Sequence, residues 1–184
     1  IRDGVDTNFA TWAYHANDMI GRGGRLQQLG IRVSGYDAEH WEQTLDVRQH
    51  WADVTCDRPD EVAAMVIDEL REKGVTRVYI SNDIDGTDPT WAASTGTMEL
   101  HGMSPAFIFD VIARVGESFE LVGSDLVEVA PPLKWHVPGE PMRTIQTAAC
   151  YVIAQIEAML NTSLSLEAKI PKPIPLAQIL TKPW

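Results

Sequence analysis

An apolar run, Val78-Tyr79-Ile80, leads into the acidic turn Ser81-Asn82-Asp83-Ile84-Asp85-Gly86-Thr87-Asp88-Pro89, and helical segments flank it on both sides. Before it, Pro59 opens a segment with Asp60 and Glu61 in its first turn. Val62, Met65, Val66 and Leu70 follow at helical spacing, and Gly74 lies just beyond Lys73, which predicts a helix over 59–73. After it, Ser104-Pro105 supplies a cap and a favourable first helical position, predicting a second helix over 105–115. A strand is expected within 119–129 and a last long helix over 141–160. Residues 25–33 predict one more strand. The stretch 34–55, with Trp41 and Trp51, fits neither pattern, and 1–24 reads as a loop or active-site rim with at most one short helix. Strands that alternate with helices through such short connections predict an α/β fold, with a parallel sheet, right-handed crossovers and helices on both faces.

Alternation along a strand places residues i and i+2 on one face, so Asp83 and Asp85 are expected to point the same way. Two adjacent carboxylates repel, and a chain that keeps them together supplies a cation, either a hard metal or a cationic substrate. Taken alone, the run also fits an Asx-rich turn that closes a strand. Further along come Ala93-Ser94-Thr95-Gly96-Thr97 and a second apolar strand ending in Gly123-Ser124-Asp125-Leu126-Val127-Glu128-Val129-Ala130-Pro131. Ligands of such sheets gather beyond the carboxyl ends of the strands, where Asp83, Asp85 and Glu128 fall.

These three pieces, in this order and spacing, resemble the ureohydrolase superfamily of arginases, agmatinases and guanidino-acid hydrolases. That family's pattern reads Ser-x-Asp-hydrophobic-Asp-x-x-Asp-Pro, then Thr-Gly-Thr, then Asp-hydrophobic-x-Glu-hydrophobic-x-Pro. The resemblance spans roughly 28–160 and includes Gln28-Leu29-Gly30-Ile31-Arg32, similar to the Gln-Ile-Gly-Ile-Arg strand of agmatinases. It implies an arginase-like three-layer α/β/α domain with a mostly parallel sheet, of which 1–160 would be the C-terminal part. A proline-rich tail, 161–184, would pack on its own domain or on a neighbouring subunit of a homo-oligomer.

The implied activity is hydrolysis of a small cationic guanidino compound to urea and an amine or ammonia. An agmatinase-like substrate is favoured, with guanidine, guanidinobutyrate and arginine as alternatives. Guanidinium is a poor electrophile, so the reaction needs a strong nucleophile, which two divalent metals supply by lowering the pKa of a shared water. The resemblance gives Asp83 the bridging position and Asp85 a place on one metal, with Asp85 also steadying the departing amine. Oxygen-rich ligation suits Mn²⁺, with Ni²⁺ or Co²⁺ as alternatives.

Glu128 becomes the residue that orients the substrate, because paired guanidinium N–H groups match a carboxylate. Thr95, Gly96 and Thr97 would line the pocket. His15, in Tyr14-His15-Ala16-Asn17, falls where agmatinases place a proton-transfer histidine. Met98 and His101-Gly102 stand where the family commonly has Pro and Gly-Gly, so His101 is a candidate for substrate contact at the mouth. The family's other metal ligands come from Gly-Gly-(Asp/Asn)-His and Asp-x-His-x-Asp loops, which these residues lack. The resemblance therefore implies an N-terminal half of the enzyme before Ile1, and no complete two-metal cluster within 1–184. Without those partners, mutual repulsion should raise the pKa of Asp83 or Asp85.

Two other readings compete. Asp83-Ile84-Asp85-Gly86-Thr87 also matches the nucleophile loop of haloacid-dehalogenase-type phosphatases, where an apolar residue normally follows in place of Asp88-Pro89. The chain could instead be a non-catalytic half-domain or assembly module of a degenerate ureohydrolase. A net charge of −11 argues against a nucleic-acid partner. The 45% hydrophobic content suits a single packed domain. Cys56 and Cys150 lack metal spacing and suit a reducing, cytoplasmic setting. The longest apolar stretch, near 148–160, is broken by Gln155 and Glu157 and is too short to span a bilayer.

Overall fold

In the computed structural model, residues 6–163 are described. The chain begins with α1 (Trp12–Met19), β1 (Gln27–Ile31), α2 (Ala38–Leu45), β2 (Arg48–Trp51) and α3 (Ala52–Asp57). It continues with α4 (Pro59–Glu72), β3 (Arg77–Asp83), α5 (Pro105–Ser118), β4 (Glu120–Val127) and α6 (Glu140–Ser163). Short 3₁₀ turns at Ile84–Gly86 and Pro131–Lys134 follow β3 and β4. Local chemistry sets several boundaries. The Asp37 side chain accepts the His40 N–H to cap α2 at 2.9 Å, and Ser104 Oγ accepts the Phe107 N–H to cap α5 at 3.2 Å. The unassigned stretch 34–55 thus holds two helices and a strand. α6 continues through residues 161–163, expected as the start of the tail. The rest of that tail lies outside the described residues.

β1 pairs parallel with β2, and β3 pairs parallel with β4 from Arg77↔Glu120 to Asp83↔Val127. These are two separate two-stranded sheets among the described residues. Side chains fill the space between β1 and the turn after β3. Met103 Cε lies 2.8 Å from where a Cβ on Gly30 would stand and 3.0 Å from one on Gly86.

The core is built where α4, α5 and α6 pack with β4. It contains Val62, Val66, Ile67 and Leu70 of α4, Phe107, Ile108, Ile112 and Val115 of α5, Leu121 of β4 and Tyr151 of α6. Burial of each large apolar side chain contributes about 1.5–3 kcal/mol. Gly116 lets α5 and α6 close up, since a Cβ there would stand 2.8 Å from that of Ala158. Along β3, Val78 and Ile80 pack against this core, while Tyr79 and Ser81 on the opposite face both donate to the Asp125 carboxylate, at 3.0 and 2.9 Å. No helix among the described residues is long and apolar enough to cross a membrane.

Candidate active site

Asp83 is the last residue of β3 and is exposed, on the Tyr79 and Ser81 face that strand alternation dictates. Asp85 is placed differently from the sequence expectation. It lies in the 3₁₀ turn, beyond the strand, because Asp83 Oδ1 accepts the Asp85 N–H at 3.0 Å and caps that turn. The two carboxylates are therefore brought together by a side-chain cap and not by the strand period. Asp85 is only 9% exposed, its Oδ2 accepts the Thr97 hydroxyl, and its Oδ1 is buried without a partner among the described residues. A buried carboxylate oxygen without a protein donor is rare in folded proteins and leaves acceptor capacity that water or a cation could fill.

The Thr-Gly-Thr loop folds over this turn. The Cβ position of Gly96 lies 3.6 Å from Glu128 Oε2, so the Glu128 carboxylate faces the loop. Glu128 directly follows β4 at φ 62, a left-handed conformation costly for a residue with a Cβ. The Ala130 N–H donates to the Ser94 carbonyl at 2.9 Å, tying the Glu128 segment to the loop. Thr95 Oγ1 is also buried without a partner among the described residues. The turn itself is closed by backbone bonds from Met103 N–H to the Gly86 carbonyl (2.8 Å) and from Asp88 N–H to the Met103 carbonyl (3.0 Å).

Electrostatics single out Asp83. Its side chain reaches solvent, yet protein crowds it on its other sides, and this partial burial pushes its carboxyl up to about 6. The carboxylates of Asp85 and Glu128 push in the same direction, against the Asp85 N–H and the Arg32 guanidinium. The expected rise is therefore present, with burial ahead of repulsion as its cause.

His15, on α1, has its Nε2 2.8 Å from the Asp6 carbonyl oxygen. His101 lies at the loop end at φ 59, exposed, near enough to Asp88 to help lower that carboxyl. Hard-oxygen donors with an orphaned carboxylate oxygen fit a divalent cation. No group of three or more His, Cys, Asp or Glu among the described residues is arranged to hold one. A cleft of ≈ 540 Å³ opens at the other end of the sheet, lined by Arg71, Thr76, Ser118 and Glu120. It lies at the amino ends of β3 and β4, away from these carboxylates, and the chemistry favours the carboxyl ends.

Two supports were not legible as site residues. Arg32, just after β1, donates to the Asp85 carbonyl and, at 3.3 Å, to the Glu99 carbonyl, bracing the turn. On α6, Glu140, Thr144, Thr147, Tyr151 and Gln155 recur at intervals of three or four. Each bonds the turn, the loop or β4: Glu140 the Ala93 N–H (2.8 Å), Thr144 the Ser94 N–H (3.0 Å), Thr147 the Trp91 carbonyl (3.1 Å), Tyr151 the Thr87 hydroxyl (3.2 Å) and Gln155 the Asp125 carbonyl (3.0 Å). This stripe of polar groups at helical spacing was the available signal.

Comparison with known proteins follows the same pieces. The sequence pattern described as the Arginase family matches residues 2–157. Guanidinobutyrase of Pseudomonas aeruginosa is 40% identical over 111 residues, 59% of this chain and 34% of that protein. The mitochondrial guanidino acid hydrolase of Homo sapiens is 41% identical over 111 residues, 59% of this chain and 30% of that protein. The agmatine ureohydrolase structure of Thermoplasma volcanium superposes with a TM-score of 0.68 at 28% identity, covering 88% of this chain and 50% of that one. The match thus spans about a third of the length of these curated relatives and half of the solved chain. The phosphatase reading of Asp83-x-Asp85 falls with it. A match that runs through the acidic turn, the Thr-Gly-Thr loop and the Glu128 strand end, over most of the residues, shows that the chain belongs to the arginase family.

Proposed function

We propose that the protein is a metal-dependent amidinohydrolase that cleaves a C–N bond of a linear guanidino compound, releasing urea and an amine. The observation that supports this most is the convergence of Asp83, Asp85 and Glu128 at the carboxyl ends of two adjacent parallel strands, with the buried Asp85 Oδ1 lacking a partner among the described residues. Asp83 and Asp85 would hold divalent metal, with Mn²⁺ best suited to oxygen ligation and Ni²⁺ or Co²⁺ as alternatives. Bound there, metal supplies Lewis acidity and lowers the pKa of water.

The chain's own side chains supply orientation. Glu128 accepts paired N–H groups from the guanidinium and fixes its plane. Thr97 donates to Asp85 Oδ2 and so fixes that carboxylate, leaving Oδ1 available. Gly96 borders Glu128, where the absence of a side chain leaves room beside the carboxylate, and Thr95 is proposed to line the pocket with it. Asp85 would steady the departing amine as the C–N bond breaks, and His15 and His101 are proposed to carry protons or contact substrate at the mouth. The relatives' names favour agmatine or guanidinobutyrate as substrates.

Urea release from agmatine, guanidinobutyrate, guanidine and arginine, measured on the full-length metal-loaded protein, tests the proposal. Urea from at least one is expected, and none from any with metal bound would return the chain to a binding role. Asp83→Ala should lose metal and activity together, exceeding the roughly 100-fold loss typical of a supporting residue. Glu128→Ala should keep the metal and lose substrate use. An equal fall in metal content in both variants would show that this division of roles is wrong.

A further inference from the structure

Glu140 is the first residue of α6 and carries a carboxylate only 5% exposed. A buried carboxylate is costly unless hydrogen bonds replace its water. Here Oε1 accepts the Ala93 N–H at 2.8 Å and the Thr144 hydroxyl at 2.7 Å, while Arg143 Nη1 stands 3.6 Å from Oε2. Thr144, fully buried, accepts the Ser94 N–H at 3.0 Å. The Ser94 carbonyl in turn accepts the Ala130 N–H at 2.9 Å.

This path ends on both surfaces that would face a guanidinium. Ala130 lies two residues after Glu128, whose left-handed φ of 62 must be held by its surroundings. Gly96, two residues after Ser94, lies under the Glu128 carboxylate. The backbone that carries Glu128 and the loop it faces are thus registered to one helical carboxylate through one hydroxyl.

We propose that Glu140 and Thr144 are positioning residues that set the distance and angle between Glu128 and the Thr-Gly-Thr loop, and through it the affinity for the guanidinium group. The proposal rests on the reading of Glu128 as the residue that orients the substrate. Neither side chain lies within reach of substrate in this arrangement. Both act through the Ser94 and Ala130 backbone.

In the full-length metal-loaded protein, Thr144→Val keeps the shape and removes the hydroxyl. KM for the guanidino substrate should rise about tenfold while kcat stays within about threefold, because the lost term is substrate binding. Metal content should not change. Thr144→Ser should restore most of the affinity. Glu140→Gln should stay near wild type, since an amide oxygen can accept the same two bonds. If Thr144→Val does not fold, Thr144→Cys, a weaker acceptor of similar size, should show the same KM shift at smaller amplitude.

A fall in kcat at unchanged KM, no rescue by serine, or losses that track Tm across the series would overturn the proposal and leave a purely structural network. Amide hydrogen exchange at Ser94 and Ala130 tests the physical link independently of turnover. If the wild-type protein releases no urea, faster exchange at both amides in the Thr144 variant still supports the link, and unchanged exchange refutes it.

Discussion

The carboxylate of Glu69 on α4 and that of Asp83 at the end of β3 are treated in opposite ways by the same fold. Glu69 accepts from Arg48 Nη2 at 2.8 Å, from Arg48 Nε at 3.1 Å and from Gln27 at 3.2 Å, and Arg48 also reaches Glu42 at 2.6 Å. Beside it, buried His50 pairs with Gln27 at 2.7 Å. The Arg48 bond holds the Glu69 carboxyl below its ordinary value. At the other site, Asp83 is crowded by protein and by two further carboxylates, Asp85 Oδ1 has no partner among the described residues, and Glu128 is held in a left-handed backbone. A saturated cluster stabilises the fold by itself. Unpaired charge with strained backbone costs stability, which a bound ligand would recover, and that asymmetry is the one expected between a structural acid cluster and a functional one.

The largest effect should come from breaking the saturated site. Glu69→Gln removes charge-assisted bonds, and with Arg48 partly exposed the expected loss is about 1–2 kcal/mol, or roughly 3–6 °C in Tm. The pH dependence carries the sign. A depressed carboxyl contributes fully above its ordinary 4.5, and that contribution is lost as pH falls through the folded value. His50 is also depressed, by burial, so its contribution is complete above 6.5 and lost as pH falls below that. Thermal melts from pH 7 to 3 should show both losses in the wild-type chain and only the His50 loss in Glu69→Gln. An unaltered acid limb in the variant would show that the cluster is not what holds this half together.

The opposite sign is expected at the other site. The raised carboxyl of Asp83 favours folding below its ordinary 3.8, and the contribution is lost as pH rises through about 6. In chelator at pH 7, Asp83→Asn should therefore stabilise the chain, by about 1 kcal/mol once solvent access to the side chain is allowed for. At pH 3.5 the two proteins should melt together. A lower Tm for Asp83→Asn at pH 7 would break the contrast, because Asp83 would then be a structural acid like Glu69.

The helices 59–73 and 105–115 and the β3 strand were legible because each is specified by a cap, a proline or a short-range period. Asp83 at the strand end followed from the same rule. The orientation of Asp85 did not, because the Asp83 side chain competes for the next backbone N–H and turns the chain into a 3₁₀ element. The supports were hidden for a different reason. Thr144 meets Ser94 across 50 positions and Arg32 meets Asp85 across 53, and no local pattern encodes such pairings. The acids proposed to do chemistry were therefore easier to read than the groups that hold them in place.

The smallest expected effect concerns strain at the mouth of the unpaired site. His101 stands at φ 59, where the family commonly places a glycine. A residue with a Cβ costs roughly 1–2 kcal/mol in this region, and glycine enters it freely. The gain from His101→Gly is reduced by the extra freedom of glycine in the unfolded chain, about 0.4–1 kcal/mol. A net stabilisation of roughly 0.5 kcal/mol should remain, about 1–2 °C in Tm. The bond that the Cys56 thiol donates to the His101 carbonyl, at 3.7 Å, does not depend on the imidazole. Gly102 next to it needs glycine for want of room, since a Cβ there would stand 2.4 Å from the Asp88 nitrogen. If strain at this end of the sheet is retained for function, the stabilised His101→Gly protein should show a higher KM for the proposed guanidino substrate. A drop in Tm would instead mean that the imidazole already offsets the strain through its own contacts, which would place His101 with the saturated cluster and not with Asp83.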